Sequence, residues 1–297
     1  MSHQAVPNRR RTTDHGRAEP HILMCPPDFY GIHYVINPWM NVTRPADHET
    51  AISQWRGLRA LLSGAGATIS AVSPVEGLPD MVFTANAALI YRQHAIVSRF
   101  RHSQRQGEEE HFRCWLREHG WETIDSPHDL AFEGAGDALF CGDTLYAGYR
   151  QRSDARGHQE IGELLGVRVL PLELVDPYYY HLDTCFCPLS SDTAIWFPAA
   201  FDDYGRRVIE ANVPHLIAAA EDEARSFACN AVVVGRTVVT NTGCPRLHDD
   251  LRAAGLTPAE TPLGEFVKAG GSAKCLTLRL DGEEAAAWRA TSPPARS

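Results

Sequence analysis

No stretch of the chain approaches 18 consecutive apolar residues, which argues against a membrane-spanning helix. The first residues lack the apolar centre of a secretory signal: Met1 to Arg17 is polar and carries Arg9-Arg10-Arg11. That segment is expected to be a disordered tail, with a basic targeting or binding arm as the alternative. There is no HExxH and no paired CxxC, and the 14 histidines are scattered, so neither a metal nor a cofactor is expected. The 8 cysteines lack regular spacing, which fits reduced thiols in a cytoplasmic protein better than a disulfide framework. Cys185 and Cys187 fall on one side of an expected strand and are assigned to the core. Positive charge is in deficit: a net charge of -9 argues against a nucleic-acid surface and suits a small cationic substrate.

What is present is ordinary globular material, 297 residues with 44% hydrophobic and 22% charged side chains. A period runs through it. Asn86, Asp137, Asp183, Asn230 and Cys275 each stand before an apolar strand, at intervals of 51, 46, 47 and 45 residues. A near-constant interval suggests repeated units, each aiming one polar residue at a common centre. The units carry helical stretches, expected from Ala51 to Leu62 (with Gly64 as the stop), Gly107 to His119, Gly157 to Leu165, Arg206 to Ala211, Glu221 to Phe227 and Arg246 to Ala254. Ala67 to Val72, Val167 to Leu172, His215 to Ala218 and Thr257 to Thr261 are expected to link them as strands, with a turn around Gly77 to Asp80. The run Glu108-Glu109-Glu110 is expected to be a solvated first helical turn. The N-terminal strand His21 to Cys25 is expected to complete the last unit and close the ring. This gives one domain over residues 21–290 between disordered tails at 1–20 and 291–297.

The chemistry centres on Gly270-Gly271-Ser272-Ala273-Lys274-Cys275, followed by an alternating run through Leu280 that suggests a strand with Cys275 at its mouth. A cysteine so placed is either a small core residue or a nucleophile. His181-Leu182-Asp183, if extended, puts an imidazole and a carboxylate on one face, where they can meet a single ligand. A histidine can relay protons for a cysteine, and an acid can orient the imidazole. Glu133, in Phe132-Glu133-Gly134-Ala135-Gly136-Asp137, is the candidate orienter, and Asp137 occupies the strand-mouth register. Each motif alone is equally well a capped strand or a turn.

PDMVFTAN (79–86), FEGAGD (132–137), HLDT (181–184) and GGSAKC (270–275) together resemble the guanidino-group modifying enzymes, the pentein or amidinotransferase superfamily. The resemblance covers about Ile22 to Leu280 and is greatest to arginine dihydrolases and dimethylarginine dimethylaminohydrolases. It implies an α/β fold, a five-bladed propeller with pseudo-fivefold symmetry. It also implies Cys275 as nucleophile, His181 as general acid and base, Glu133 as its partner, and Asp183 as a guanidine-binding carboxylate. Asn86 stands where deiminases and dimethylaminohydrolases carry a second such aspartate. Arg105 matches an arginine that holds the substrate's amino-acid end, Arg152 matches another substrate-contacting arginine, and Asn37 matches a loop position of the dihydrolases. Asp80 and Phe83 match binding-site positions, with a turn aspartate and a core phenylalanine as alternatives.

The implied reaction is hydrolysis of arginine, or a related guanidino amino acid, through a Cys275 thiouronium. Asn86 can donate to a ureido oxygen where a carboxylate would repel it, which favours a dihydrolase that carries citrulline on to ornithine. Asp183 leaves little apolar room for N-methyl groups. The alternatives are a deiminase or dimethylarginine dimethylaminohydrolase, an amidinotransferase, and a non-catalytic binding member of the superfamily. No partner is implied beyond the small-molecule substrate, and the sequence is compatible with a homo-oligomer.

Overall fold

The computed structural model describes residues 19–126 and 130–283. The expected tails, apart from residues 19 and 20, lie outside the described residues. The chain opens with strand β1 (His21–Met24), helix α1 (His48–Gly64) and β2 (Thr68–Ala71). Asp47 caps α1 by accepting from the Thr50 N–H at 2.8 Å, and the helix buries Ala51, Trp55, Leu58 and Leu62 on one face. The next unit holds β3 (Ala88–Tyr91), β4 (His94–Val97), α2 (Ser103–Gln106), α3 (Glu108–Glu118) and β5 (Glu122–Asp125). It is followed by β6 (Ala138–Cys141), β7 (Thr144–Tyr149), α4 (Ala155–Leu165) and β8 (Arg168–Glu173). A fourth stretch comprises β9 (Phe186–Pro188), β10 (Thr193–Trp196), α5 (Asp203–Asn212), β11 (His215–Ala218) and α6 (Glu221–Ala224). The remainder is β12 (Val232–Val234), β13 (Thr237–Asn241), α7 (Pro245–Ala253), β14 (Thr257–Thr261), α8 (Gly264–Val267) and β15 (Leu278–Arg279).

These strands form five three-stranded sheets of one design: β3-β4-β5, β6-β7-β8, β9-β10-β11, β12-β13-β14 and β15-β1-β2. In each, the first two strands are antiparallel and the third runs parallel to the middle one, reached through a helix that makes the crossover. The fifth sheet joins the end of the described chain to its beginning, with Ile22 opposite Arg279 and Leu23 opposite Leu278, as the sequence leads one to expect. First strands such as β3 and β6 are buried throughout, whereas third strands such as β2, β5 and β11 are exposed at both ends. Among the described residues no helix is long and apolar enough to cross a membrane.

The five polar residues of the sequence period all lie in short turns just before a first strand. Hydrogen bonds link each turn to the next. Asn86 Nδ2 reaches the Glu133 carbonyl at 3.5 Å, and Asp137 Oδ1 accepts from the Leu182 N–H at 3.1 Å. Asn230 Nδ2 donates to the Asp183 carbonyl at 3.0 Å, and Asn230 Oδ1 accepts from the Cys275 N–H at 3.2 Å. The Cys275 carbonyl accepts from the Ala85 N–H at 3.1 Å, which returns to the first turn.

Four expectations need correction. Cys275 is not at the mouth of a long strand: it lies in a turn, and β15 has only two residues. The Thr277 hydroxyl bonds back to the Ala273 and Lys274 carbonyls and so competes with strand pairing. His181-Leu182-Asp183 is not a strand either, because Leu182–Thr184 is a 3₁₀ turn entered from an extended His181. The helix expected to reach Phe227 ends at Ala224, and Phe227 itself has φ 63. Glu108 is fully buried, because Arg105 three residues earlier turns inward with it.

Gly134 shows how tightly these turns are packed. Its φ is 59, and an added Cβ would lie 2.8 Å from the Ala88 carbonyl oxygen and 2.9 Å from that of Ala85. Neither is free to retreat, since both belong to the backbone, Ala85 in the neighbouring turn and Ala88 at the start of β3. Gly134→Ala is expected to lower unfolding stability by about 2–4 kcal/mol in denaturant titration. Gly64→Ala, in open space at the end of α1, should raise it by about 0.5–1 kcal/mol. Equal effects would contradict this packing.

Candidate active site

The turns converge on a cleft lined by Ile36, Asn37, Met40, Asp80, Phe83, Asn86, Arg105, Arg152, Tyr180, Ala269 and Cys275, with about 250 Å³ of open space including its mouth. Seven residues singled out in the sequence are therefore in its wall. His181, Glu133 and Asp183 join it through hydrogen bonds. Glu133 Oε2 lies 2.7 Å from His181 Nε2 and accepts from Arg152 Nη1 at 3.0 Å, while Glu133 Oε1 accepts from the Arg101 N–H at 3.3 Å. Burial alone would raise the Glu133 carboxyl. Arg152 and the His181 bond outweigh it and hold the group well below the usual carboxylate range. Ionised Glu133 assigns the His181 proton to Nε2, leaving Nδ1 as the basic nitrogen. Burial, stronger than the pull of Glu133, lowers His181 to about 4, so the ring is neutral at pH 7.

Glycine makes room for this pair. A Cβ on Gly136 would stand 2.2 Å from Asn86 Nδ2 and 3.4 Å from the His181 ring, so no larger residue fits between them. The EGAGD sequence thus sets the acid and clears space for the two side chains that face it.

Cys275 is buried, with Sγ 3.3 Å from Asp183 Oδ2 and 3.1 Å from Asn230 Nδ2. Burial, followed by the Asp183 charge, pushes the thiol well above its ordinary value. Burial likewise raises Asp183 to about 7, with Lys274 opposing it. Asp183 Oδ1, Asp80 Oδ1 and His181 Nδ1 are buried and have no hydrogen-bond partner among the described residues. Unmade bonds at buried polar atoms are costly, and their concentration beside one cleft marks it as built for a polar ligand.

The rest of the wall is held by arginines. Arg105 forms a two-pronged pair with Glu108, through Nε at 2.9 Å and Nη2 at 2.7 Å, and its Nη1 donates to Asn86 Oδ1 at 2.8 Å. Asn86 is thereby fixed with its oxygen toward Arg105 and its NH2 directed away. Arg152 lies over the Tyr180 ring at 4.6 Å and donates to the Ile36 carbonyl at 3.0 Å. Asn37 ties its loop to the Ala269 carbonyl at 3.0 Å. Asp80 Oδ2 accepts from the Tyr34 hydroxyl at 2.8 Å, and burial raises its carboxyl. Phe83 serves both of its suggested roles, lining the cleft and packing edge-on against Tyr30.

Asp137 is the exception. It is not in the wall, and both its oxygens are engaged, one by the Leu182 N–H at 3.1 Å and one by the Ser153 hydroxyl at 2.6 Å. It anchors the turn that carries His181 and Asp183. Sequence reasoning also passed over Glu108, Tyr180 and Asn230 as site residues. For Asn230 the repeat interval was the available signal, and for Glu108 its position three residues after Arg105. Tyr180 had none beyond adjacency to His181. Among the described residues no group of three or more His, Cys, Asp or Glu could hold a metal.

Chemically, the cleft and the side chains bonded to its wall offer a thiol, a neutral imidazole whose basic nitrogen has no hydrogen-bond partner among the described residues, and carboxylates suited to a planar cation. Cys275 alkylation by iodoacetamide, followed by peptide mass spectrometry, should still be rising in rate at pH 9 in the free protein. Asp183→Asn removes the repelling charge, so the profile should move to lower pH. A plateau near pH 7 in the unsubstituted protein would contradict this assignment.

The chain is similar to known proteins in sequence and in fold. The family model described as "N,N dimethylarginine dimethylhydrolase, eukaryotic" matches residues 36–280. The bifunctional arginine dihydrolase/ornithine cyclodeaminase ArgZ of Synechocystis sp. is 48% identical over 265 residues, 87% of this chain. This chain spans only 37% of the length of ArgZ. An N(G),N(G)-dimethylarginine dimethylaminohydrolase of Mycobacterium tuberculosis is 40% identical over 257 residues, covering 86% of this chain and 84% of that protein. The crystal structure of the N-terminal domain of ArgZ, a cyanobacterial arginine dihydrolase, in a cysteine-to-serine variant bound to substrate, superposes with a TM-score of 0.86 at 47% identity. It covers 88% of this chain and 98% of that one. A dimethylarginine dimethylaminohydrolase structure shares the fold, with a TM-score of 0.75 at 22% identity over 88% of this chain and all of that one.

Proposed function

We propose, since the chain belongs to the N,N dimethylarginine dimethylhydrolase family of guanidino-modifying pentein enzymes, that it is an arginine dihydrolase converting arginine to ornithine, carbon dioxide and two molecules of ammonia. The five like sheets and the hydrogen-bonded circuit of turns support a five-bladed propeller in which residues 21–290 act as one catalytic domain. Residues 127–129 and 284–290 of that span lie outside the described residues.

The observation that carries the reading is Asn86, a carboxamide in the cleft wall whose oxygen is already engaged by Arg105. Its NH2 group reaches the Glu133 carbonyl with one hydrogen, at 3.5 Å, and can offer the other to the oxygen of a ureido ligand, which a carboxylate would repel. The remaining polar groups suit a guanidinium: Asp183 Oδ1 and Asp80 Oδ1 are acceptors in want of donors.

Charge sets the order of events. In the free site the thiol is neutral, disfavoured as thiolate by burial and by Asp183. A guanidinium paired with Asp183 cancels that repulsion, so substrate binding itself favours ionisation of Cys275. The sulfur attacks the guanidinium carbon, and the thiol proton passes through His181 Nδ1 to the departing amino group, which leaves as ammonia. A thiouronium remains on Cys275. Water, deprotonated by His181, displaces the sulfur and yields citrulline. In the second round, attack on the ureido carbon expels the second ammonia and leaves a thiocarbamate, whose hydrolysis gives a carbamate that collapses to ornithine and carbon dioxide.

Hydrolysis of dimethylarginine is the second reading, supported by the 40% identical mycobacterial relative. The Asp183 carboxylate beside the sulfur opposes it, since methyl groups there would desolvate a charge without bonding to it.

The test is a product assay with arginine, citrulline and dimethylarginine as separate substrates. Two ammonia and one ornithine per arginine, with added citrulline consumed, are expected. Stoichiometric citrulline that the protein leaves untouched would overturn the dihydrolase reading, and faster turnover of dimethylarginine would favour the second. Asn86→Asp should stop the reaction at one ammonia per arginine, with citrulline turnover reduced by about 100-fold or more.

A further inference from the structure

Asn230 lies one repeat before Cys275, 45 residues earlier, and is fully buried. Its side chain is held at three points. Oδ1 accepts from the Cys275 N–H at 3.2 Å, and Nδ2 donates to the Asp183 carbonyl at 3.0 Å and to Cys275 Sγ at 3.1 Å. A carboxamide has two N–H donors, and both are used. The Cys275 N–H requires an acceptor, which fixes the oxygen on that side and the NH2 toward the sulfur. The backbone is equally constrained: the Asn230 N–H donates to the Phe227 carbonyl at 3.0 Å, and its carbonyl accepts from the Lys274 N–H at 3.3 Å.

The sulfur has two polar side-chain neighbours among the described residues, and they behave oppositely. Asp183 Oδ2 can accept the thiol proton, but once that proton leaves, the two anions repel. The Asn230 N–H points at a sulfur lone pair and bonds more strongly to a thiolate than to a thiol. Other charged or titratable groups nearby are committed elsewhere. The Lys274 ammonium holds Glu283 at 2.9 Å to both oxygens, the Tyr180 hydroxyl donates to the Gly270 carbonyl at 2.7 Å, and His181 is held by Glu133.

We propose that Asn230 is a catalytic residue of this site, whose amide N–H aims the Cys275 sulfur and stabilises the thiolate in both halves of each hydrolytic round. The inference rests on the reading of Cys275 as nucleophile. In the first half the S–H bond breaks, the S–C bond forms and a C–N bond breaks, with the proton carried by His181 to the departing ammonia. In the second half water gives a proton to His181 and forms a C–O bond as the S–C bond breaks, and the thiolate is the leaving group until His181 returns a proton to it. Asn230 exchanges no proton in either half, and the same N–H serves the nucleophile and the leaving group.

Asn230→Leu keeps the approximate shape and removes the donors, Asn230→Ser restores a hydroxyl donor, and Cys275→Ser is the control. Measured are kcat and KM for arginine and the pH profile of Cys275 alkylation. For Asn230→Leu, kcat should fall about 100-fold or more with little change in KM. Its alkylation profile should move to higher pH, and Asn230→Ser should recover part of both effects. A purely structural role would leave the alkylation profile in place. Should the leucine variant fail to fold, Asn230→Ala replaces it under the same outcomes. Unchanged kcat and alkylation in these variants, beside an inactive Cys275→Ser, would overturn the proposal. A Cys275→Ser protein that still turns over would overturn the reading beneath it.

Discussion

Around one cleft the chain buries Asp80, Glu108, Glu133, Asp137 and Asp183, each 1% exposed or less, against the guanidinium groups of Arg105 and Arg152. Carboxylates removed from water must be paired, protonated or given hydrogen bonds, and here the cations cannot serve them all. The molecule divides the task. Glu108 takes Arg105 in a two-pronged pair, and Glu133 shares Arg152 and His181. Asp137 is supplied by a backbone N–H and a hydroxyl. Asp80 and Asp183 each keep an oxygen without a partner among the described residues, and burial raises both carboxyls. A cation entering the cleft would relieve that imbalance, and the tight interlocking of the turns follows from the need to hold these charges in place.

The same imbalance bears on reactivity. In the proposed reaction the thiol beside a buried carboxylate is quiet until a cation offsets the carboxylate, which would couple nucleophilicity to occupancy. In the proposed reaction Asn86 adds selectivity through its fixed orientation: Arg105 holds its oxygen and the Glu133 carbonyl takes one amide hydrogen, which leaves the other for the ligand. A single amide in place of a carboxylate can therefore alter how far a reaction proceeds, because it changes whether a neutral ureido group is retained.

Much of this was legible in the sequence because repeats leave arithmetic traces. The spacing from Asn86 to Cys275 marked the turns, and α1 buries Ala51, Trp55, Leu58 and Leu62, three and four residues apart, within the helical stretch expected from Ala51 to Leu62. The chain-closing pairing of β1 with β15 agreed with the incomplete last unit. What escaped was local backbone geometry. The run after Cys275 alternates like a strand, yet Thr277 bonds back to the preceding carbonyls and bends it. His181 and Asp183 share the site through a 3₁₀ turn and not through strand alternation. Glu108 looked like a solvated acid because its partner, Arg105, had been assigned only to ligand. Asn230 was visible in the repeat but its contact with sulfur was not, since hydrogen bonds across 45 residues leave no mark in local composition.

Two successive hydrolyses require one sulfur to receive both a guanidinium and a ureido carbon. Acid quenching of the protein during turnover, followed by mass spectrometry of the Cys275 peptide, tests that directly. Two distinct covalent adducts are expected on Cys275: one formed from arginine with loss of ammonia, and another formed from citrulline supplied alone. An adduct from arginine only would contradict the second hydrolysis, and no adduct on Cys275 from either would contradict the covalent chemistry as a whole.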